Sequence, residues 1–139
     1  MRLGHNEKIE TIKKVPLFGH CTKDELAAVA RLADEIDLPE GKVLTRQGER
    51  GHEFIVLIEG AADVERDGEK VAELGAGDFF GEIALISHVP RTATVTASTP
   101  IRALVVAEHD FRSLLSQSPD ISLKVLQALA ERLPASHTQ

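Results

Sequence analysis

Three hydrophobic patterns follow one another along the chain, and each predicts a different kind of element. In the first third, Leu26, Val29, Ala30 and Ala33 fall at i, i+3, i+4 and i+7, the spacing of one helical face. Thr22 and Glu25 stand before them as a capping box, each side chain answering the other's free backbone N–H. Together they predict a helix over residues 22–34. A weaker, mostly polar helix is predicted over residues 6–14, broken by Leu17-Phe18-Gly19.

In the middle third the helical period disappears. Pro39-Glu40-Gly41 reads as a turn, followed by a short strand over 42–46 that ends near Gly48. Residues 54–58 are wholly apolar, which predicts a strand buried on both faces. Strands over 62–66 and 71–74 flank Asp67-Gly68, the strongest hairpin signal in the chain, because a type I′ turn needs positive φ at both central residues. Two more strands, over 92–97 and 101–107, are joined through Ser98-Thr99-Pro100. Short strands at regular spacing with glycine-rich turns argue for a sandwich or barrel.

The last third returns to helix over residues 108–116. Ser118-Pro119 restarts the chain, with Ser as cap and Pro at the first helical position. Ile121, Val125, Leu129 and Leu133 lie four apart and form a stripe that Pro134 ends. That stripe is read first as core packing. Its length also allows a homodimer through this helix. The chain is read as one domain over 1–139, helical over 1–36 and 108–134 and β over 37–107.

Composition narrows the picture. The 139 residues include five Phe, no Trp and no Tyr, so the core must be aliphatic. Sixteen Lys and Arg against 22 Asp and Glu leave a net charge of -6, which repels nucleic acid. One cysteine, Cys21, rules out an intrachain disulfide. The N-terminus has no apolar signal region, and the longest apolar runs are too short to span a bilayer. A soluble, cytoplasmic protein with no membrane contact is expected.

Most chemical motifs fail. After Gly75-Ala76-Gly77 a dinucleotide fingerprint needs glycine at 80, where Phe80 stands. Gly41-Lys42 is followed by Val43, so there is no P-loop, and no Gly-x-Ser-x-Gly occurs. His20 beside Cys21 lacks an orienting third group. His5, His20, His52, His88, His109 and His137 are scattered, so no metal site is expected. No catalytic residue and no cofactor are assigned, and the chain is not expected to be an enzyme.

One stretch stands out: FGEIALISHVPRTATV, residues 80–95. Gly81 permits positive φ or a close backbone approach. Residues 82–86 are long enough for about one helical turn, whose free N–H groups would point together at an anion. Pro90 fixes the exit, and Arg91 brings a planar fork of donors suited to phosphate. Glu82 only accepts hydrogen bonds, so beside a phosphate it would need a donor such as a sugar hydroxyl. One arginine without a second cation suits a phosphate of single charge. The alternative is that Glu82 and Arg91 form a structural ion pair.

This stretch resembles the phosphate-binding cassette of cyclic nucleotide-binding domains, which occur in the bacterial catabolite activator family, protein kinase regulatory subunits and cyclic nucleotide-gated channels. The resemblance extends over most of the chain: the TKDELAAVARLAD helix, the turn glycines at 41, 48 and 60, the run from Gly77 to Glu82, and two closing helices follow the family's order. It implies a double-stranded β-helix, a jelly-roll-like β roll, with helices at both ends. It implies that Gly81 and Glu82 shape the site and that Glu82 takes the ribose 2′-hydroxyl. Arg91 would pair with the cyclic phosphate, N–H groups near Ile83 and Ala84 would meet its oxygens, and Thr92 would add a hydroxyl. The base would rest on Val71 and Leu74. The ligand would be cAMP or cGMP, with Thr92 compatible with either.

The final helix, SPDISLKVLQALAERL, lacks the aromatic lid that members of this family often carry there. No helix-turn-helix follows it, so the expected protein is a stand-alone bacterial sensor read by an effector in trans. The alternatives are a degenerate nucleotide-binding fold serving as a structural or protein-interaction module, a cupin-like enzyme, and a regulatory fragment of a longer chain.

Overall fold

A computed structural model describes residues 3–81 and 90–131. Two helices come first, α1 (His5–Lys13) and α2 (Lys23–Leu32), with a single 3-10 turn at Pro16–Phe18 between them. Among the described residues, eight strands follow: β1 (Asp34–Leu38), β2 (Val43–Thr45), β3 (Glu53–Glu59), β4 (Ala62–Arg66), β5 (Glu69–Leu74), β6 (Phe79–Phe80), β7 (Thr94–Ala97) and β8 (Ile101–Ala107). Helices α3 (Glu108–Gln117) and α4 (Pro119–Glu131) close the chain. The strands form two four-stranded antiparallel sheets, in the orders β1-β8-β3-β6 and β2-β7-β4-β5. This is the expected β roll with helices at both ends.

The continuous apolar run at 54–57 has two partners. Phe54 and Val56 face the helices, packing with Phe18, Val29, Phe111 and Ile121. Ile55 and Leu57 face the other way, into the space between the sheets with Val95, Ala97 and Ala103. A strand that separates two cores needs apolar side chains on both faces, so alternation disappears from its sequence. β8 repeats the arrangement, with Leu104 and Val106 under the helices and Ala103 and Val105 between the sheets.

Local signals act as expected at several places. Thr22 Oγ1 accepts the Glu25 N–H at 3.2 Å, and Glu25 Oε1 accepts the Thr22 N–H at 2.8 Å. Asp67 and Gly68 have φ of 55° and 83°, the positive pair the hairpin demands. Ser118 Oγ accepts the Ile121 N–H at 3.4 Å, capping α4.

Other boundaries need correction. The second helix stops at Leu32, and residues 34–38 form β1 where helix was expected to continue to 36. Asp34, Glu35 and Asp37 are poor strand formers, yet the segment pairs with β8 from Asp34↔Val105 to Leu38↔Ile101. Ile36 and Leu38 pack into the inter-sheet core. Glu35 is held in place because its Oε1 accepts the Leu3 N–H at 2.6 Å and Oε2 lies 3.4 Å from Arg102 Nε. The two-residue β6 was not foreseen. β7 begins at Thr94 and not 92, because residues 90 and 91 are engaged with residues 48–50 instead. The break at Leu17-Phe18-Gly19 is a 3-10 turn whose Leu17 and Phe18 are fully buried.

On α4, Ile121 and Val125 are buried in the helical core and Leu129 packs against it; Leu133 lies outside the described residues. The described members of the stripe therefore pack as core. The exposed apolar side chains of this helix are Leu123 and Leu126, at 67% and 62%. α4 is also tied back to the N-terminal region, with Lys124 Nζ 2.5 Å from Glu25 Oε1 and His20 Nε2 2.6 Å from Glu131 Oε1. Burial, and next the Glu25 carboxylate, push the neighbouring Cys21 thiol up from its ordinary value.

The hydrogen bond from Lys124, and next that from the Thr22 N–H, hold the Glu25 carboxyl below its ordinary value. A depressed folded-state value stabilises the fold above the unfolded value and loses that contribution as pH falls. Wild type is expected to have a higher thermal midpoint than Glu25→Gln at neutral pH. The two should converge as pH drops well below the ordinary glutamate value of about 4.3. Parallel curves across that range would show that the contact contributes nothing.

Candidate functional site

The site is built where two loops cross. Residues 48–53 run into β3, and residues 90–92 run into β7. Their backbones form a short ladder: the Arg91 N–H donates to the Glu49 carbonyl at 2.8 Å, the Gly48 N–H donates to the Arg91 carbonyl at 2.8 Å, and Arg50 bridges Pro90. Arg91 is thereby fixed in main chain before its side chain is considered.

The side chain is then threaded through a narrow slot. Arg91 Nη2 donates to the Glu53 carbonyl at 2.5 Å. A Cβ built on Gly51 would overlap the guanidinium. One built on Gly81 (φ +86°) would strike the guanidinium and come within 2.5 Å of the Glu53 carbonyl oxygen. The Phe80 ring lies beneath, its centroid 5.9 Å from Arg91 Cζ. The slot exists only because both walls lack a side chain. Gly51→Ala is expected to push the guanidinium out and weaken anion binding about tenfold, roughly one hydrogen bond to a charged group. Titration of the variant beside wild type checks this, and equal affinities would mean that the guanidinium has room elsewhere.

Beside the slot lies a cleft of about 290 Å³ between β4, β5 and β7. Val64, Ala72, Leu74 and Val95 supply apolar walls, and Gly81, Arg91 and Thr92 stand at its lining with Phe80. A volume near 300 Å³ is at the lower end of small-molecule pockets. A second, more polar cleft of about 230 Å³ shares Arg91 and is lined by Arg46, Glu49, Arg50, Gly51 and His52.

The structure thus brings together Gly81, Leu74, Arg91 and Thr92. Glu82, Ile83 and Ala84 lie outside the described residues. Val71 is not in the cleft lining and is 51% exposed. The β4–β5 register shifts from Glu65↔Lys70 to Val64↔Ala72, so Val71 is passed over in the pairing, and Ala72 and Leu74 line the cleft. The expectation of a single arginine is also corrected. Arg66 lines the same cleft, and its Nε donates to the Thr92 carbonyl at 3.2 Å. The available signal was Arg66's period-two spacing from Val64 and Ala62, on the inward face of β4.

Among the described residues, no group of three or more His, Cys, Asp and Glu side chains is placed to hold a metal ion. No described helix is long and apolar enough to cross a membrane.

Two antiparallel sheets rolled around an apolar cleft, with an arginine held by glycines and helices at both ends, define a β-roll domain. The model of the family described as "Cyclic nucleotide-binding domain" matches residues 35–118, and the chain belongs to that family. A cyclic nucleotide-gated potassium channel of Rhizobium etli is 38% identical over 123 residues, covering 88% of this chain and 34% of the channel. The fold superposes on the N-terminal domain of a transcriptional regulator from Streptomyces coelicolor, with a TM-score of 0.82 and 28% identity over 92% of this chain and 95% of that one. It also matches cAMP-bound PfPKA-R, with a TM-score of 0.69 and 25% identity over 91% of this chain and 46% of that one. The chain spans about a third of the length of the curated relatives it matches.

Proposed function

We propose that this domain is a regulatory sensor for a purine 3′,5′-cyclic monophosphate, cAMP or cGMP, and does no chemistry on it. The observation that carries this reading is the Arg91 guanidinium, fixed between Gly51 and Gly81 beside an apolar cleft. The planar fork of donors on Arg91 can meet two oxygens of a cyclic phosphate diester at once. The purine would lie against Val64, Ala72 and Leu74. Thr92, next in the chain to Arg91, offers a hydroxyl at the same edge. In this reading Glu82 accepts from the ribose 2′-hydroxyl, and the N–H groups of Ile83 and Ala84 turn toward the phosphate oxygens. Among the described residues lining the cleft, none is a nucleophile with an adjacent base, which favours a binding role over catalysis.

Ligand binding would act through the closing helices, with a cytoplasmic effector in trans reading the change. An equilibrium shifts only as far as the ligand binds one arrangement better than the other. Calorimetric titration with cAMP and with cGMP tests the reading. Saturable 1:1 heat for at least one is expected. Heat for neither would leave a protein-interaction module built on the same fold. Hydrogen exchange over residues 108–131, with and without nucleotide, tests the helix shift; unchanged protection at saturation would sink it.

A further inference from the structure

Glu108 is the first residue of α3, and its position is unusual for a carboxylate. It is only 7% exposed. An acid at a helix N-terminus is ordinarily a solvated partner of the helix dipole. Here it is withdrawn from water, and a buried carboxylate is costly unless cations and donors surround it. Three basic side chains do so. Arg112 Nε, one turn along α3, is 3.0 Å from Oε2; Arg50 Nη2 is 3.2 Å from the same oxygen; His52 Nδ1 is 3.5 Å from Oε1. The Glu108 N–H also donates to the His52 carbonyl at 2.8 Å.

Arg50 and His52 belong to the strap, residues 48–53, that carries Arg91. Between them stands Gly51, one wall of the guanidinium slot, and the next residue is Glu53, whose carbonyl accepts from Arg91 Nη2. On one edge the strap grips Arg91 by main chain and side chain. On the other, the Arg50 side chain and the His52 carbonyl are held by a single residue of α3, with the His52 ring 3.5 Å from the same carboxylate.

We infer that Glu108 is a positioning residue for the anion site: by holding Arg50 and His52, it sets the strap against which the Arg91 guanidinium is aligned. Glu108 touches no part of the cleft beside Arg91 and acts only through the strap. The inference rests on the reading of Arg91 as the phosphate partner. Because the same carboxylate begins α3, alignment of Arg91 and seating of that helix's first turn are one linked equilibrium. Whatever stabilises one stabilises the other.

The test is a double-mutant cycle with wild type, Glu108→Gln, Arg91→Ala and the double variant, titrated with cAMP and cGMP. Glu108→Gln keeps shape and removes charge. It is expected to weaken binding about tenfold when Arg91 is present and to change nothing when Arg91 is absent, a coupling of ordinary size for residues in one network. An equal loss in both backgrounds, or no loss in wild type, overturns the inference.

A second readout needs no nucleotide. Amide exchange at Gly48 and Arg91, whose N–H groups make the strap ladder, is expected to quicken in Glu108→Gln. Unchanged protection there overturns the inference even if wild type binds neither nucleotide. That last result would sink the proposed function and leave this question decided separately. Should Glu108→Gln fail to fold, Arg50→Met takes its place, since it cuts the same link from the strap side and Arg50 is half exposed.

Discussion

Arg91→Ala is expected to weaken cyclic nucleotide binding by about 2–5 kcal/mol, the loss found when one partner is removed from a desolvated, hydrogen-bonded charge pair. That is roughly thirtyfold to several thousandfold in Kd. The size follows from how the side chain is held. The guanidinium is aligned by protein alone, by the Glu53 carbonyl and by two residues without side chains. Little rotamer entropy remains to be lost on binding, so more of the interaction appears as affinity. The fold should survive, because the main chain at 91 keeps its two 2.8 Å hydrogen bonds to the strap. Arg91→Lys should recover only part of the loss, since an ammonium supplies a charge without the planar fork. Isothermal titration of the three proteins reads this directly. An Arg91→Ala affinity within twofold of wild type would remove Arg91 from the site.

Much of this arrangement was legible before any coordinates, and the limits are physical. The hairpin at Asp67-Gly68, the capped helix after Thr22 and the strands at 62–66 and 101–107 are dictated by local chemistry, and local chemistry is what a single sequence displays. β1 was hidden because its stability comes from pairing with β8 and from Glu35, which reaches Leu3 and Arg102, residues 32 and 67 positions away. At the site, Arg91 and Gly81 are visible because they are close in sequence and chemically distinctive. Val71 was misplaced because strand phase depends on the register across the hairpin. From the Asp67-Gly68 turn, regular pairing would set Val71 opposite Val64; instead the register shifts after Glu65↔Lys70 to Val64↔Ala72, which skips Val71 and turns Ala72 and Leu74 inward. The strap was invisible because Gly51 has no motif around it. Its role appears only when residues 51 and 91, forty positions apart, meet in space.

The largest expected loss of stability comes from a residue that reads in sequence as part of a helix break. Phe18→Ala is expected to cost about 3–5 kcal/mol, the range for truncating a buried Phe. Phe18 is 1% exposed and sits in the 3-10 turn between α1 and α2. It meets Phe54 of β3 edge-on at 6.1 Å between centroids and Phe111 of α3 at 5.8 Å. Phe54 in turn meets Phe79 at 6.0 Å, just before the Gly81 wall of the arginine slot. One ring therefore joins the N-terminal turn, a central strand and the helix that starts at Glu108. In a chain with five Phe and no other aromatic, no nearby Tyr or Trp can fill the space. Domains of this kind are stable by only about 5–15 kcal/mol, so the loss would be a large fraction of the total. Urea unfolding should show a lower midpoint with an unchanged slope. A loss below about 1 kcal/mol would mean that the turn collapses into the cavity at little cost. If the turn braces α3, as the Phe18–Phe111 contact indicates, α3 amides should lose protection in Phe18→Ala before those of β3. Simultaneous loss in both would make the aromatic cluster one cooperative unit and leave no separate seating of α3 for the ligand to shift.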